Sequence, residues 1–289
     1  MRIVIVGATG MLGQALYCEA SCRGAAITGI ARSGTDCSTD ITYFEKLEET
    51  LYKLRPDVII NAAALTNLAQ CEQEPATAYL VNARAVASMA EVSSQLGAFF
   101  VQVSTDHYFV NDGKKQHEEN AAVHLVNEYA RTKYAGEAFA LTYPAVLVVR
   151  TNIVGFRQKG HPTFVEWVIE SLQSGRFITL FDDYYTSSIH VAAFARSLFD
   201  LLPSRPSGIL NLAARDVCSK KVFVEMLAES LNLQTSSAVT GSAASLTDAK
   251  RASSVGLNVS KAEQLLGYDL PTTFQVARAL ADEYRRMTS

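Results

Sequence analysis

Two residues whose types and spacing could perform acid–base chemistry lie in the stretch NEYARTKYAGE, residues 127–137. Tyr129 precedes Lys133 by four positions, so on a helix the phenol and the ammonium share one face, one turn apart. A free phenol, with a pKa of about 10, is a reluctant acid at neutral pH, and a nearby ammonium favours its ionised form. The pair could then donate a proton to a carbonyl oxygen. Because the spacing alone is weak evidence, this interpretation depends on the rest of the chain.

A glycine-rich turn, GATGMLG, directly follows the apolar run of residues 3–6. In this context Gly7 permits a tight turn, Gly10 lets the backbone approach a pyrophosphate, and Gly13 lets a helix pack closely on the strand. The helix that starts at Met11 and Leu12 would offer its unpaired N–H groups to the phosphates. The pattern predicts dinucleotide binding.

The end of the second predicted strand favours one form of that dinucleotide. An acidic residue there would bind the ribose 2′-hydroxyl of NAD, but this chain has Arg32, and an arginine can pair with the 2′-phosphate of NADP. We therefore expect NADPH as the cofactor, with NADH as the alternative if Arg32 is merely solvated. Asp40 and Ile41 are expected in a loop that lines the adenine.

The elements that position these residues follow from apolar runs that alternate with helix-like segments. Strands are predicted at residues 2–6, 26–30, 57–60, 99–103 and 146–149. Continuous apolar strands separated by helices predict an α/β fold with a doubly wound parallel (Rossmann) sheet. Ligands of such sheets bind outside the carboxyl ends of the strands.

Thr105, in the stretch VSTDHYF, follows the fourth predicted strand at that edge. Its hydroxyl could polarise a carbonyl group by a hydrogen bond, while Tyr129 supplies the proton and Lys133 holds the ribose hydroxyls. The glycine turn and Thr105 together make Thr105, Tyr129 and Lys133 the candidate catalytic residues.

The pattern changes after residue 150. Helices are predicted at residues 163–173, 191–202, 220–231, 260–266 and 273–286, and a loop is predicted at 234–254. Capping boxes are expected at Thr42 with Glu45 and at Ser260 with Glu263. We expect a dinucleotide-binding domain at 1–152, with 178–202 packing back onto it. Residues 153–177 and 203–289 are expected to form a smaller, α-rich C-terminal substrate lobe.

Composition excludes several classes of function. With 48% hydrophobic residues and a net charge of −3, the chain offers no basic surface to a nucleic acid or an anionic membrane. Its five cysteines are odd in number and include no CxxC pair, which favours reduced thiols, a cytoplasmic location and no metal site.

Five stretches resemble, in order and spacing, the extended short-chain dehydrogenase/reductase superfamily and, within it, the dTDP-4-dehydrorhamnose reductases: PDVIINAAALT, AYLVNARAVASMAE, VQVSTDHYF, NEYARTKYAGE and LVVRTNIVG. The resemblance implies that Thr105, Tyr129 and Lys133 are catalytic and that the smaller lobe binds a nucleotide-linked keto sugar. It also implies a cofactor cleft lined by Asn61, Ala62, Ala63 and Ala64.

The substrate side departs from the family pattern. His107 replaces the tyrosine usual after STD, and Ile153 replaces a tryptophan. Contacts with the substrate are expected from Thr105 and from His107, Asn152, Ile153 and Phe164. His107 also stands where 4,6-dehydratases carry a glutamate. The alternatives are a sugar-nucleotide epimerase, another ketone reductase, and a non-catalytic NADP-binding subunit similar to the β subunit of methionine adenosyltransferase. The sequence leaves open whether the protein forms a homodimer.

Overall fold

The protein is described by a computed structural model that covers residues 1–157, 161–246 and 249–288. It divides into two compact units. The first unit contains Met1–Thr105, Leu125–Arg150 and Ala195–Leu210, and the second contains Asp106–His124, Thr151–Phe194 and Asn211–Ser289. The second unit therefore contains residues 106–124, 151–152 and 178–194, which were expected in or against the dinucleotide-binding domain, and the first contains 203–210, which were expected in the substrate lobe. Which unit binds cofactor and which binds substrate stays a prediction.

The strands, in chain order, are β1 (Arg2–Val6), β2 (Ala26–Ala31), β3 (Cys37–Ser38), β4 (Val58–Asn61), β5 (Phe99–Val103), β6 (Val146–Arg150), β7 (Ile153–Val154), β8 (Ile178–Phe181), β9 (Tyr185–Thr186), β10 (Ile189–His190), β11 (Gly208–Asn211), β12 (Cys218–Ser219) and β13 (Ala238–Gly241).

A seven-stranded sheet has the order β11-β6-β5-β4-β1-β2-β3. The pairings of β1 with β2 and β4, of β4 with β5, of β5 with β6 and of β2 with β3 are all parallel. Strands β4, β5 and β6 are buried along their whole length, as expected for runs that are apolar on both faces. The order places β1 inside the sheet, between β2 and β4, so the chain winds outward from β1 in both directions, which confirms the doubly wound fold.

The helices, in chain order, are α1 (Met11–Cys22), α2 (Phe44–Leu54), α3 (Leu68–Gln73), α4 (Pro75–Tyr79), α5 (Ala85–Leu96), α6 (Glu128–Ala140), α7 (Phe164–Gln173), α8 (Val191–Leu201), α9 (Lys220–Leu231), α10 (Ser260–Leu266) and α11 (Thr273–Thr288). One π-helical turn, Leu80–Arg84, joins α4 to α5.

Each unit has its own apolar core. In the first unit, residues of the sheet such as Val4, Ile59 and Phe100 pack with helical residues such as Leu47 and Met89. In the second, the buried faces of α7, α9 and α11 pack together. The core of each unit therefore fixes the elements that carry its candidate site residues.

The second unit also contains strands that its helical periodicity does not predict. Among its described residues are three two-stranded pairs: β7 with β10, β8 with β13 and β9 with β12. Strand β13 lies within the stretch 234–254, so the prediction of a loop there was wrong for Ala238–Gly241. Residues 247 and 248 of that stretch lie outside the described residues.

Candidate active site

The glycine turn after β1 is packed too closely for any side chain at two of its positions. Gly7 has a φ of 84°, and a Cβ there would lie 2.7 Å from the Ala63 nitrogen. A Cβ on Gly13 would lie 2.1 Å from the Gly7 carbonyl oxygen. Helix α1 begins after Gly10 without a side-chain cap, so the N–H groups of its first turn, from Met11 onwards, are available to an anion. This cradle fits the diphosphate of a dinucleotide.

Arg32 follows the last residue of β2 and is exposed. Within residues 1–157, 161–246 and 249–288, its guanidinium has no hydrogen-bond or ion-pair partner. The carboxylate of Asp36, four residues further along the chain, has other partners: its Oδ2 accepts hydrogen bonds from the Gly29 nitrogen at 2.7 Å and the Tyr17 hydroxyl at 3.3 Å. The strand end therefore offers an uncommitted cation, which suits a phosphate.

Asp40 and Ile41 both have structural roles. One carboxylate oxygen of Asp40 accepts hydrogen bonds from the nitrogen and the hydroxyl of Thr42, at 2.9 and 2.8 Å. The Ile41 side chain packs into the core of the first unit and is 8% exposed. Their contact with an adenine ring stays a prediction.

Asn61, the last residue of β4, shapes the loop that follows. Its side chain is buried, donates to the Gln102 side-chain oxygen at 2.8 Å and accepts from the Ala63 nitrogen at 3.1 Å. Ala62, Ala63 and Ala64 are partly exposed. Asn61 thus holds the loop from inside, while the three alanines supply the accessible surface expected of a cofactor cleft.

Asn82 ties this loop to the helix that carries the candidate acid. It lies in the π-helical turn and is buried, and its amide pairs with both the nitrogen and the carbonyl oxygen of Leu65, at 2.8 and 3.0 Å. The same amide donates to the Thr132 hydroxyl at 3.1 Å. A Cβ on Gly136 would lie 2.2 Å from the Asn82 carbonyl oxygen, so α6 approaches the π-turn as closely as two backbones can.

Tyr129 and Lys133 both lie on α6, one turn apart as predicted. The helix starts at a well-formed cap, where the Asn127 side chain accepts from the Ala130 nitrogen at 2.7 Å. Tyr129 is partly exposed, whereas Lys133 is buried and donates from Nζ to the Val103 carbonyl oxygen at 2.7 Å. Val103 ends β5, and Thr105, also buried, follows two residues later.

Burial sets the charge balance around Lys133. It lowers the pKa of the ammonium to about 8, and the Glu137 carboxylate acts in the opposite direction. Glu137 is itself held by a buried ion pair with Arg150, with 2.7 Å between Oε2 and Nη2. Lys133 therefore keeps its proton at neutral pH, while its position is fixed by the strand end.

Asn152 is the centre of a polar chain in the second unit. Its Nδ2 donates to Asp106 Oδ2 at 2.8 Å, and its Oδ1 accepts from the Ser188 hydroxyl at 2.7 Å. The Ser188 oxygen is also 3.4 Å from Lys220 Nζ. This chain holds Asn152 in one orientation. Ile153, the next residue, is partly exposed on β7.

His107 and Phe164 lie close to the same group of cations. His107 Nε2 is 2.9 Å from the Tyr184 hydroxyl. Burial, reinforced by the charges of Arg251 and Lys220, lowers the pKa of His107 to about 4, so the ring is neutral at pH 7. Phe164, at the start of α7, has Lys220 Nζ 4.6 Å from its ring centroid. The second unit thus brings His107, Asn152 and Phe164 together around Lys220.

The described part of the chain lacks two further features. There, no group of three or more histidine, cysteine or carboxylate side chains is arranged to hold a metal ion. None of the helices found there combines the length and the apolar character that a bilayer span requires.

Comparison with known proteins decides the family. The family described as RmlD substrate binding domain matches residues 1–286. The chain belongs to this family. A dTDP-4-dehydrorhamnose reductase of Salmonella typhimurium is 34% identical over 186 residues, which cover 64% of this chain and 61% of that protein. One of Mycolicibacterium smegmatis is 36% identical over 222 residues, covering 76% of this chain and 66% of that protein.

A solved relative covers the chain more fully than these curated proteins. The crystal structure of the dTDP-4-dehydrorhamnose reductase of Bacillus anthracis in complex with NADP aligns with a TM-score of 0.88 and 25% identity. It covers 98% of this chain and 99% of that one. The Rossmann fold of this RmlD-family chain is therefore that of a protein solved with a dinucleotide bound.

The sequence did not single out as candidate site residues several polar residues of this RmlD-family chain that the structure brings to the candidate sites: Asn82, Asp106, Tyr184, Ser188, Lys220 and Arg251. A signal existed for Lys220. It follows Ser219, the cap of α9, and so places a cation at the helix end that favours anions.

Proposed function

We propose that this protein is an NADP(H)-dependent reductase of a nucleotide-linked keto sugar and that Tyr129 is its proton donor. The observation that carries the proposal is the buried ammonium of Lys133, held at the end of β5 one helical turn after Tyr129. The names of the relatives, dTDP-4-dehydrorhamnose reductases, support the substrate class. The NADP bound to the Bacillus anthracis protein supports the cofactor.

The residues of the first unit fit the binding of NADPH. The uncapped start of α1 would hold the diphosphate, and the exposed Arg32 would pair with the 2′-phosphate. Ala62, Ala63 and Ala64 would line the cleft. When bound, the cofactor supplies the hydride that reduces the carbonyl carbon.

Each catalytic residue then has one task. Tyr129 donates its phenolic proton to the carbonyl oxygen, and the Thr105 hydroxyl donates a hydrogen bond to the same oxygen. Lys133 stabilises the phenolate that Tyr129 becomes. With a pKa of about 8, Lys133 is about nine-tenths protonated at pH 7, so this stabilisation is present under ordinary conditions.

The test combines binding with turnover. Dissociation constants of NADPH and NADH are measured on the purified protein, together with NADPH oxidation in the presence of dTDP-4-keto-6-deoxyglucose and its epimerase. We expect oxidation, and a loss of about 10²- to 10⁴-fold in kcat for Tyr129→Phe with NADPH binding retained. Arg32→Ser should weaken NADPH binding by about tenfold or more and leave NADH binding unchanged.

Two results would contradict the proposal. Full activity in Tyr129→Phe would remove Tyr129 from the proton transfer. Tight NADPH binding without oxidation of any nucleotide-linked keto sugar would instead favour a non-catalytic nucleotide-binding subunit.

A further inference from the structure

Among the described residues, the largest fully buried side chain is that of Arg150, the last residue of β6. Its guanidinium is paired with the equally buried carboxylate of Glu137 on α6: Nη2 lies 2.7 Å from Oε2, and Nε lies 3.1 and 3.2 Å from Oε1 and Oε2. Two charges taken out of water seldom add net stability, because the cost of desolvation offsets their attraction. A pair that an apolar contact could replace without loss is therefore a candidate for a functional role.

Glu137 shares one face of α6 with the candidate proton donor and the candidate cation. Tyr129, Lys133 and Glu137 follow one another at intervals of four residues, so their side chains lie along the same face. Lys133 and Glu137 are 3% and 1% exposed. A carboxylate one helical turn beyond a buried ammonium acts on it through the protein interior, where water screens charges weakly. The Glu137 charge is therefore placed to act on Lys133.

The other titratable groups around α6 reach solvent. In the described helices α3 to α6 and strands β5 and β6, the buried charged side chains are those of Lys133, Glu137 and Arg150. Strand β5, whose last carbonyl group accepts the Lys133 hydrogen bond, has no titratable side chain. The Cys71 thiol is buried, but burial raises its pKa to about 11, so it is neutral. The remaining titratable residues of α3 to α6 and the turns between them are exposed or partly exposed: Glu72, Glu74, Tyr79, Arg84, Glu91, Glu128, Tyr129, Arg131 and Tyr134.

Two effects of opposite sign act on Lys133. Burial lowers the pKa of its ammonium to about 8, and the Glu137 carboxylate limits that fall. Without the carboxylate the pKa of Lys133 would be lower still, and a smaller fraction of the protein would carry the Lys133 proton at neutral pH. Arg150 in turn compensates the Glu137 charge, which would otherwise be costly to bury.

We propose that Glu137 and Arg150 are positioning residues for Lys133: the Glu137 carboxylate keeps the ammonium charged at the end of β5, and Arg150 holds that carboxylate in place. This inference rests on the proposed function, because it names what maintains the cation that serves Tyr129. Both residues act through Lys133. A pair with a merely structural role would fasten α6 to β6 and leave the charge of Lys133 unchanged, so the two roles differ in a measurable property.

The first experiment measures the pKa of Lys133 by nuclear magnetic resonance. The whole protein is labelled with carbon-13 at the lysine ε-carbons, and the Lys133 signal is identified by its loss in Lys133→Met. Its chemical shift is followed against pH in the wild type, in Glu137→Gln and in the matched control Glu128→Gln, which removes a partly exposed carboxylate from the same helix. We expect Glu137→Gln to lower the pKa of Lys133 by about 1, and Glu128→Gln to leave it at the wild-type value.

Two further variants separate charge from folding. Glu137→Asp keeps the negative charge, so the pKa of Lys133 should fall less than in Glu137→Gln. The double variant Glu137→Gln/Arg150→Met removes both buried charges, leaves no unpaired guanidinium and repeats the measurement if Glu137→Gln folds poorly. The pKa of Lys133 should fall in the double variant as well. An unchanged Lys133 pKa in the folded single or double variant, or an equal fall in Glu128→Gln, would overturn the inference.

The dependence of kcat on pH connects the inference with the proposed function. Loss of the Lys133 proton removes the cation beside Tyr129, so activity should fall as the pH rises through the pKa of Lys133. In Glu137→Gln this fall should occur about 1 pH unit lower than in the wild type, whereas a structural defect would lower kcat equally at every pH.

The two measurements can fail separately, because the pKa of Lys133 is measured without cofactor or substrate. A protein that never oxidises NADPH but loses Lys133 protonation in Glu137→Gln would contradict the reductase and support the role of the pair. An active reductase whose Lys133 pKa does not depend on Glu137 would contradict this inference alone.

Discussion

Lys133 in the first unit and Lys220 in the second are both lysines whose pKa is lowered by burial, yet their surroundings differ. Lys133 lies inside a helix and donates to a backbone carbonyl, that of Val103, at 2.7 Å. Lys220 begins a helix and has one long bond to a hydroxyl, that of Ser188. The first cation is held by the protein itself. The ammonium of Lys220 has N–H donors that a ligand can satisfy.

The scaffolds of the two units explain this difference. In the first unit the candidate residues follow the ends of long, buried parallel strands, so the positions of Gly7, Asn61 and Thr105 come directly from the sheet register. The second unit holds its polar residues on two-residue strands such as β9 and β10 and on helix starts. In the second unit, hydrogen bonds between side chains hold these residues in position, as the sheet register does in the first unit.

The largest effect is expected at Lys133. Lys133→Met should lower kcat by about 10²-fold or more, because the phenolate of Tyr129 loses its neighbouring positive charge. Lys220→Met should instead raise KM for the substrate and change kcat less, since Lys220 lies against Phe164, an expected substrate contact, and takes no part in the proposed proton transfer. Steady-state kinetics of both variants, with circular dichroism to confirm folding, provides the comparison. Equal changes in kcat would contradict the distinction between the two lysines.

The fold of the first unit was predictable because its signals are local. Continuous apolar runs mark strands that are covered on both faces, and strands β1 and β5 have the bounds expected from the sequence. The glycine turn was predictable for the same reason, since it stands directly after the first strand. Helices α9 and α10 of the second unit also begin and end at the predicted residues.

The capping boxes show where local signals fail. Neither expected box forms: α2 starts after Tyr43, because Asp40 takes the nitrogen and the hydroxyl of Thr42, and α10 starts after Val259. The reciprocal hydrogen bonds occur instead at the start of α7, between Thr163 and Glu166. The same spacing in the sequence can thus have different outcomes, because nearby side chains compete for the same backbone groups.

The Asn82 and Lys220 contacts could not be predicted for a related reason. Asn82 meets Leu65 and Thr132, which are 17 and 50 residues away. Lys220 meets Ser188, 32 residues away. Such contacts depend on how helices and short strands pack, and no periodicity in the chain encodes them.

The next largest effect concerns stability. Arg150→Met removes the guanidinium that is hydrogen-bonded to the buried Glu137 carboxylate, which should cost about 3–5 kcal/mol of unfolding free energy. The matched control is Arg176→Gln in the second unit, whose pair with Glu170 is exposed and should cost at most about 1 kcal/mol. Urea unfolding measures both values. Similar costs for the two variants would mean that the Glu137 carboxylate takes up a proton or reaches water when Arg150 is lost.

The smallest effect is a pH dependence that arises in the second unit. His107 has a pKa of about 4 in the folded protein, and its ordinary value is about 6.5. Between these values the unfolded chain binds a proton that the folded protein does not, so the unfolding free energy falls as the pH falls from about 6.5 to 4.

Replacement of His107 should remove this dependence. In His107→Gln the slope of unfolding free energy against pH should decrease by no more than one proton's worth, about 1.4 kcal/mol per pH unit. Lys220→Met should reduce the slope by less, since burial depresses the pKa of His107 more than the charges of Arg251 and Lys220 do. Urea unfolding at several pH values between 4 and 7 measures all three proteins. If His107→Gln keeps the slope of the wild type, His107 is protonated in the folded protein at its ordinary pKa. The region around Lys220 would then be as open to water as a surface site.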